Sequence, residues 1–220
     1  MAIKGLILFG DSILAGTGAS DRHLCCAKLI KSALTIPISL RARNWNTSED
    51  GLRRLENDVI MQHEFSHVLI LFGNNDCWFS PKGHPQITLE QMKKNLMEMG
   101  LRINDNNQTP IFCNLQPIDS VRLFKARPDL KQCQESGYPN SVLLQEQYND
   151  EIENVATEMK FKWIDIRTDL EKKMDKVMAP DGLHPNNEGH RIIAHNILEF
   201  LKTLDLHLDF TEEYEKILTC

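Results

Sequence analysis

The sequence predicts an α/β protein in which helices cover both faces of a five-stranded parallel sheet, a single-domain three-layer αβα sandwich. Two observations predict it. Short apolar runs recur along the chain, and each is followed by a segment whose apolar residues have helical spacing. The chain has 220 residues, of which 41% are hydrophobic and 25% charged, as in one ordinary globular domain. This composition excludes a disordered chain, a collagen and a disulfide scaffold.

Five short, mostly apolar segments are predicted as strands: Ile3–Phe9, Ile36–Ala42, Val68–Phe72, Pro110–Leu115 and Phe161–Ile166. Because parallel sheets hold their functional sites at the carboxyl ends of the strands, the segments that follow these strands are the places to search.

Helices are predicted between the strands from the spacing of apolar residues. Thr88 opens one of them, and Gln91 is expected to complete a capping box with it. The other helices are predicted at Leu24–Leu34, at Ser48–Gln62, along the stripe from Leu144 to Met159, at Glu188–Leu201 and after Thr211.

The connection after the fourth strand has no clear period, and we treat about residues 116–140 as an insertion loop in the single domain that spans residues 1–220. Its basic residues are Arg122, Lys125, Arg127 and Lys131. They form either a solvated loop face or a contact with an anionic part of a substrate. Since the loop leaves the carboxyl end of a strand, we expect it to flank the site.

Charge and hydropathy restrict the partners. The chain carries 25 Lys and Arg against 31 Asp and Glu, a formal charge of −6, so we expect no nucleic-acid partner. No apolar stretch approaches the roughly 18 residues of a membrane span. The apolar run at the start stops at Gly10, too early for a signal peptide, and we expect a cytoplasmic protein. The sequence does not indicate the oligomeric state.

The cysteines form no C-x-x-C pair, so we predict neither a metal site nor a redox motif but reduced, mostly buried thiols. The six are Cys25, Cys26, Cys77, Cys113, Cys133 and Cys220.

Polar residues follow the first strand as Gly10-Asp11-Ser12. Ser12 stands where a strand-to-helix turn would present a nucleophile, although a serine there is also a common helix cap. Gly16 and Gly18 resemble part of a dinucleotide-binding loop, but position 21 is Asp rather than the third glycine. A P-loop is excluded because no Gly-Lys-Ser/Thr occurs.

Two further polar segments could carry chemistry. Gly73-Asn74-Asn75-Asp76 follows the third strand, and it offers either a side-chain amide to a developing oxyanion or an Asn-rich turn. Asp181-Gly182-Leu183-His184-Pro185 precedes the last long helix. A carboxylate three residues before a histidine can accept from its ring N–H and so orient it as a base.

Taken together, the three segments resemble the motifs of the SGNH hydrolases, also called GDSL esterases/lipases, and the resemblance runs nearly end to end. Ile13 replaces the usual Leu after Gly-Asp-Ser. The resemblance implies the flavodoxin-like SGNH fold, with Ser12, Asp181 and His184 as catalytic residues. It also implies an oxyanion hole formed by Ser12, Trp45 and Asn75, and no need for a metal or cofactor.

One motif departs from the family pattern. The family usually has Ser-Gly-x-Thr where this chain has Asn44-Trp45-Asn46-Thr47, so Trp45 stands at the glycine whose N–H helps to hold the oxyanion. A tryptophan adopts positive φ only with difficulty, and we expect its bulk to crowd the pocket against long acyl chains. Gly51 is the alternative match.

The resemblance implies a serine esterase whose substrate is a small-molecule ester with a short acyl or acetyl group, carbohydrate O-acetyl esters first among them. A lysophospholipase or acyl-thioesterase is the alternative enzyme. A non-catalytic SGNH scaffold that binds without turnover is the alternative from another class, and a nucleotide-binding flavodoxin-like domain is a further one.

Overall fold

Five parallel strands form one sheet in the order β2-β1-β3-β4-β5. The computed structural model describes residues 2–79, 84–135, 137 and 139–218; Cys220 and, within the region of residues 116–140, positions 136 and 138 lie outside these ranges. The strands are β1 (Leu6–Gly10), β2 (Ile38–Ala42), β3 (His67–Leu71), β4 (Thr109–Cys113) and β5 (Lys162–Ile164). The predicted five-stranded parallel sheet is confirmed.

Helices cover both faces of the sheet, which confirms the three-layer sandwich. They are α1 (Ser12–Ala15), α2 (Cys26–Ala33), α3 (Ser48–Leu55), α4 (Leu89–Asp105), α5 (Ser120–Ala126), α6 (Pro128–Glu135), α7 (Ser141–Glu158), α8 (Thr168–Glu171), α9 (Met174–Val177), α10 (Asn187–Leu204) and α11 (Glu212–Leu218). No helix within the described ranges is both long and apolar enough to cross a bilayer.

Alternate residues of β1 face opposite layers, as the two-residue period of a strand requires. Leu6 and Leu8 join the core beneath α2, α10 and α11. Ile7 and Phe9 join the core beneath α3, α4 and α7. The chain leaves β1 in one direction to form β2 and then crosses to β3 on the other side, so the carboxyl ends of β1 and β3 flank the crevice where such sheets bind ligands.

Helix α3 begins at Ser48 as predicted but ends earlier than predicted. The expected helix over Ser48–Gln62 ends at Leu55 and continues as one π-helical turn, Glu56–Ile60. The reciprocal capping box lies at its start, between Thr47 and Asp50. At Thr88, where the box was predicted, the threonine side chain accepts from the Gln91 N–H, but the Gln91 amide donates to Asn95 instead.

The region around residues 116–140 is not an irregular loop, because α5 and α6 lie in it. Both helices are short, and their buried apolar residues, Leu123 and Leu130, pack with Ile118 in a small separate cluster. So few buried residues do not produce a recognisable helical period in the sequence. Arg122 donates to the Met178 carbonyl at 2.7 Å, and Arg127 pairs with Asp129. Two of the four cations are therefore held by the protein itself.

The described cysteines are all free thiols. Cys25, Cys26, Cys77 and Cys113 are buried, and Cys133 is partly exposed. Burial raises the pKa of the Cys26, Cys77 and Cys113 thiols, which keeps them protonated and unreactive.

Candidate active site

Ser12 is presented by the sharp turn between β1 and α1. The Asp11 side chain caps α1 by accepting from the Ile13 N–H at 3.0 Å. Gly16 ends the helix at φ 94°. The short helix α1 thus holds Ser12 at the carboxyl end of the sheet. Ser12 is largely buried, but it lines a pocket.

His184 reaches Ser12 from the loop between α9 and α10. The Ser12 Oγ and His184 Nε2 atoms are 3.1 Å apart, and His184 Nδ1 lies 2.7 Å from Asp181 Oδ2. Gly18 allows this approach, because a Cβ at that position, which has φ 98°, would come within 2.8 Å of the His184 Cβ. The structure therefore brings Ser12, His184 and Asp181 together as one hydrogen-bonded chain.

Asp181 is held as an ionised acceptor. Its Oδ1 accepts from the backbone N–H groups of Leu183 at 2.9 Å and His184 at 3.0 Å, while Oδ2 faces the imidazole. Burial raises its pKa, but the His184 side chain and these two N–H groups outweigh burial and bring the pKa to about 2. A permanent carboxylate here fixes the Nδ1–H tautomer and leaves Nε2 to accept the Ser12 proton.

Three of the residues that line the pocket, Ser12, Trp45 and Asn75, carry hydrogen-bond donors. Among the described residues, no group accepts from the Ser12 N–H or from the Trp45 N–H. One hydrogen of the Asn75 amide goes to the Asn46 carbonyl at 2.9 Å, which leaves the other hydrogen unused. The arrangement can donate up to three hydrogen bonds to an oxyanion.

Trp45 has φ 66°, the left-handed conformation that glycine adopts readily and a bulky side chain does not. Such a residue costs about 1–2 kcal/mol of strain. Trp45 lines the pocket, and the residue is 71% exposed, so most of the indole faces solvent. The ring is not buried inside the pocket, as the expected crowding would require. The effect of Trp45 on the length of acyl chain that the pocket accepts stays a prediction.

Gly51, the alternative to Trp45, lies inside α3. Its N–H donates to the Thr47 carbonyl at 3.0 Å, within the helix. A Cβ at Gly51 would come within 2.7 Å of Phe72. This glycine therefore serves close packing of α3 on the end of β3, and its N–H is not available to a ligand.

Asp76 joins the turn after β3 to the start of α3. Its carboxylate accepts from the Ser48 N–H at 2.9 Å and from the Ser48 hydroxyl, and Asn95 donates to that hydroxyl in turn. Burial raises the pKa of Asp76 to about 7, although the bonds from Ser48 oppose the rise. Together with the bond from Asn75 to Asn46, this contact holds the Trp45 turn against the turn that carries Asn75.

Arg54 supports the same corner from beneath. The guanidinium donates to the carbonyls of Gly10 at 2.9 Å and Arg41 at 2.7 Å, at the ends of β1 and β2. It also binds the Asn46 side chain at 2.8 Å and pairs with Asp58 at 2.7 Å. Because the side chain is buried and stacks 4.3 Å above the Phe9 ring, it ties two strand ends to the Trp45 turn.

A second buried network supports Ser12 from the other side. Asn74 donates to Asp11 at 3.0 Å, Gln145 approaches Asn74 at 3.4 Å, and Arg167 donates to Gln145 at 3.0 Å. Burial raises the pKa of Asp11 to about 6, while the bonds from Ile13 and Asn74 and the nearby His184 oppose it. Asp11 and Asn74 thus contact each other and support the loop, rather than lining the pocket.

The region around residues 116–140 contacts the Asp181–His184 loop directly. The Asp119 N–H donates to the Gly182 carbonyl at 2.9 Å, and the Gln116 amide donates to the Leu183 carbonyl at 3.2 Å. Leu183 packs against the apolar cluster of Ile118, Leu123 and Leu130. The pocket around Ser12 is lined by no residue of this region that the structure describes.

Sequence reasoning missed Arg54, Gln116, Gln145 and Arg167. One signal was available for Arg54: it stands four residues before Asp58, and the two directly precede the buried apolar positions Leu55 and Val59, so an ion pair between them falls along the buried face. The contacts among Gln116, Gln145 and Arg167 had no such signal, because they join residues at least 22 positions apart in sequence.

The pocket beside Ser12 is small. It encloses about 100 Å³ and is lined by Ser12, Thr17, Asn44, Trp45, Asn75, Leu183 and His184. Pockets for drug-sized ligands enclose about 300–1,000 Å³. The space next to the serine therefore suits a small group, with the remainder of any larger molecule outside.

Solved structures with the same fold include several hydrolases. A lipase/acylhydrolase from Enterococcus faecalis is 22% identical with a TM-score of 0.72, covering 95% of this chain and 99% of the other. A catalytic mutant of an acetylxylan esterase from Geobacillus stearothermophilus is 20% identical with a TM-score of 0.66, covering 89% and 93%. A psychrotrophic esterase from Pseudoalteromonas, inhibited by monoethylphosphonate, is 19% identical with a TM-score of 0.66, covering 91% and 98%.

Sequence comparisons identify the family. A search of curated protein sequences finds no match. Residues 8–192 match the GDSL-like lipase/acylhydrolase family, a span that includes β1 to β5 and runs from the strand before Ser12 into the helix after His184. The chain belongs to the GDSL-like lipase/acylhydrolase family, as the resemblance of its motifs predicted.

Proposed function

We propose that the protein is a serine-dependent hydrolase of carboxylic esters with short acyl groups, carbohydrate O-acetyl esters first among them. The observation that carries the proposal is the hydrogen-bonded chain from Ser12 Oγ through both nitrogens of His184 to Asp181, with distances of 3.1 and 2.7 Å. A hydroxyl, an imidazole and a carboxylate so joined form an activated nucleophile.

In the acylation step, Ser12 Oγ attacks the ester carbonyl carbon, and His184 Nε2 takes the hydroxyl proton. Asp181 keeps the imidazole oriented through Nδ1 and stabilises the imidazolium. The Ser12 N–H, the Trp45 N–H and the Asn75 amide donate to the negative oxygen of the tetrahedral intermediate. His184 then returns the proton to the leaving alkoxide, which departs as the alcohol.

In the deacylation step, water attacks the acyl group on Ser12, and His184 Nε2 again accepts the proton. The second tetrahedral intermediate uses the same three donors. Its collapse frees the carboxylic acid, and the proton returns from His184 to Ser12 Oγ. Every proton that moves is held by a group of the described site.

The small pocket favours short acyl groups over the alternatives. About 100 Å³ beside Ser12 accommodates an acetyl group, whereas a long acyl chain of a lysophospholipid or a thioester would need a continuous apolar channel. The name of one structural relative, an acetylxylan esterase, agrees with acetyl esters of sugars as the first substrates to try.

The test is turnover of p-nitrophenyl acetate by purified protein and by Ser12→Ala. We expect wild type to hydrolyse the ester and Ser12→Ala to lose about 10⁴–10⁶ in kcat, the usual cost of removing a triad member. Ser32→Ala is the matched control, since the side chain of this exposed serine donates to the Leu29 carbonyl within its own helix, far from Ser12 in sequence.

Two outcomes contradict the proposal. If Ser12→Ala keeps a tenth of the wild-type activity, Ser12 is not the nucleophile. If wild type turns over no ester in a panel from acetyl to palmitoyl that includes acetylated sugars, the protein is a scaffold that binds without turnover. Melting temperatures equal to that of wild type in both variants would show that a loss of activity does not come from a loss of fold.

A further inference from the structure

Trp45 combines two unfavourable features that folding does not explain. Its backbone has φ 66°, where a glycine would be free of strain, and the residue is 71% exposed. The ring therefore contributes little to the core. Strain held at the edge of a site is a reason to look for a role in ligand binding.

The surroundings of the indole are polar. Thr17 and Asn44 line the same pocket, and the Thr17 hydroxyl donates to the Asn44 side-chain oxygen at 3.2 Å. The Asn44 amide hydrogens have no acceptor among the described residues. His190 is buried, and its Nε2 lies 3.0 Å from the Thr17 carbonyl, which fixes the Thr17 backbone. Trp45 therefore shares the pocket with hydroxyl and amide groups.

We propose that Trp45 is a binding platform for the alcohol part of the substrate and that this part is a sugar ring. A pyranose presents apolar C–H groups on one face and hydroxyls around its edge. The C–H face matches the indole, and the hydroxyls match Thr17 and Asn44. The inference rests on the proposed esterase function and names the leaving group that this same site accepts.

The size of the pocket assigns the ring to the alcohol side. An acetyl group takes only the part next to Ser12 of a pocket of about 100 Å³, so the larger part of the ester remains on the side of Thr17, Asn44 and Trp45 and extends out of the pocket there. A long acyl chain would instead need apolar neighbours beyond the ring, and of the remaining lining residues only Leu183 is aliphatic.

The experiment compares an acetylated methyl pyranoside with ethyl acetate in wild type, Trp45→Leu and Trp45→Phe. Any disturbance of the Trp45 N–H affects both esters, so the ratio of their kcat/KM values isolates the ring. We expect Trp45→Leu to lower the ratio about tenfold, a change typical of losing one stacking contact. Trp45→Phe keeps an aromatic face and should recover most of it.

A second measurement uses Ser12→Ala to follow binding without turnover. The Kd of the acetylated pyranoside should rise about tenfold when Trp45→Leu is added to Ser12→Ala. An unchanged Kd and an unchanged ratio overturn the platform while ester hydrolysis stands. A Trp45→Leu enzyme that instead gains octanoyl over acetyl p-nitrophenyl esters, with the sugar ratio unchanged, also overturns it and assigns the ring to the acyl side. Absence of all ester turnover refutes the proposed function itself.

Discussion

Asn74 and Asn75 are neighbours in sequence but contact different parts of the site. Asn75 lines the pocket beside Ser12 and holds the Asn46 carbonyl, whereas Asn74 is buried and donates to Asp11. The two residues are a natural pair for separating a role in the chemical step from a role in loop structure.

We expect Asn75→Ala to lower kcat by about 10²–10³ with little change in KM, because a donor to the oxyanion acts mainly in the transition state. Asn74→Ala should lower kcat less and should lower the melting temperature more, since it leaves buried Asp11 with one bond fewer. Steady-state kinetics and thermal melts of both variants check this. The reverse order of the kcat losses would assign the oxyanion role to Asn74.

The candidate catalytic residues could be predicted because each follows a strand or precedes a helix in a recognisable local motif. Their supports could not. Arg54 contacts Gly10, Arg41 and Asn46, and Gln145 contacts Gln116 and Asn74. Such contacts depend on how the strand ends meet in three dimensions, which residue spacing along one segment does not encode.

At the scale of elements, α5 supports the loop that carries Asp181 and His184. Gly182, at φ 71°, lies so close to it that a Cβ would overlap the Leu123 N and Asp119 O atoms. Gly137 also has positive φ, at 94°, but a Cβ there would meet nothing within 4 Å. Substitutions at these two glycines therefore separate the effect of steric overlap with α5 from the effect of positive-φ backbone strain.

We expect Gly182→Ala to lower kcat at least tenfold and to lower the melting temperature, because α5 and the Asp181–His184 loop must move apart. Gly137→Ala carries the same kind of backbone strain without the overlap and should leave kcat near the wild-type value. Kinetics with p-nitrophenyl acetate and thermal melts measure both. Equal kcat losses in the two variants would mean that contact with α5 does not position His184.

The long amphipathic helices and the apolar strands were predicted because burial on one face produces a regular period. The prediction was weaker where burial is local. Helices α5 and α6 bury few apolar residues on a small separate cluster, and the π-helical turn at Glu56–Ile60 retains an apparently continuous helical pattern in sequence. Neither feature changes the spacing of apolar residues enough to be predicted from the sequence.

For the whole molecule, buried carboxyl groups make the free energy of unfolding depend on pH. Burial raises the pKa of Asp11 to about 6 and that of Asp76 to about 7, above the usual 3.8. Their stabilising contribution is therefore complete below about pH 3.8 and is lost as the pH rises through 6 and 7. Burial lowers the pKa of His190 to about 4, and this histidine partly opposes the trend between pH 4 and 6.5.

We expect the free energy of unfolding to fall between pH 4.5 and 7.5, by an amount on the order of a few kcal/mol. Asp76→Asn cannot ionise and should show a smaller fall, whatever its absolute stability. Urea denaturation of wild type and the variant at the two pH values gives both differences. An equal fall in the two proteins would exclude Asp76 as a source of the pH dependence.

The rates at which buried thiols are labelled can report which parts of the molecule open transiently. Cys77 donates to the Asn74 carbonyl in the turn that carries Asn75, and Cys113 ends β4 in the opposite core layer. In a Cys133→Ser, Cys220→Ser background, a thiol reagent can modify either residue only during transient exposure. Equal labelling rates would mean that the turn that carries Asn75 and the sheet open in one cooperative event. Faster labelling of Cys77 would mean that this turn opens locally without the sheet. The ratio of the two labelling rates would then measure how much more often the turn opens than the sheet does.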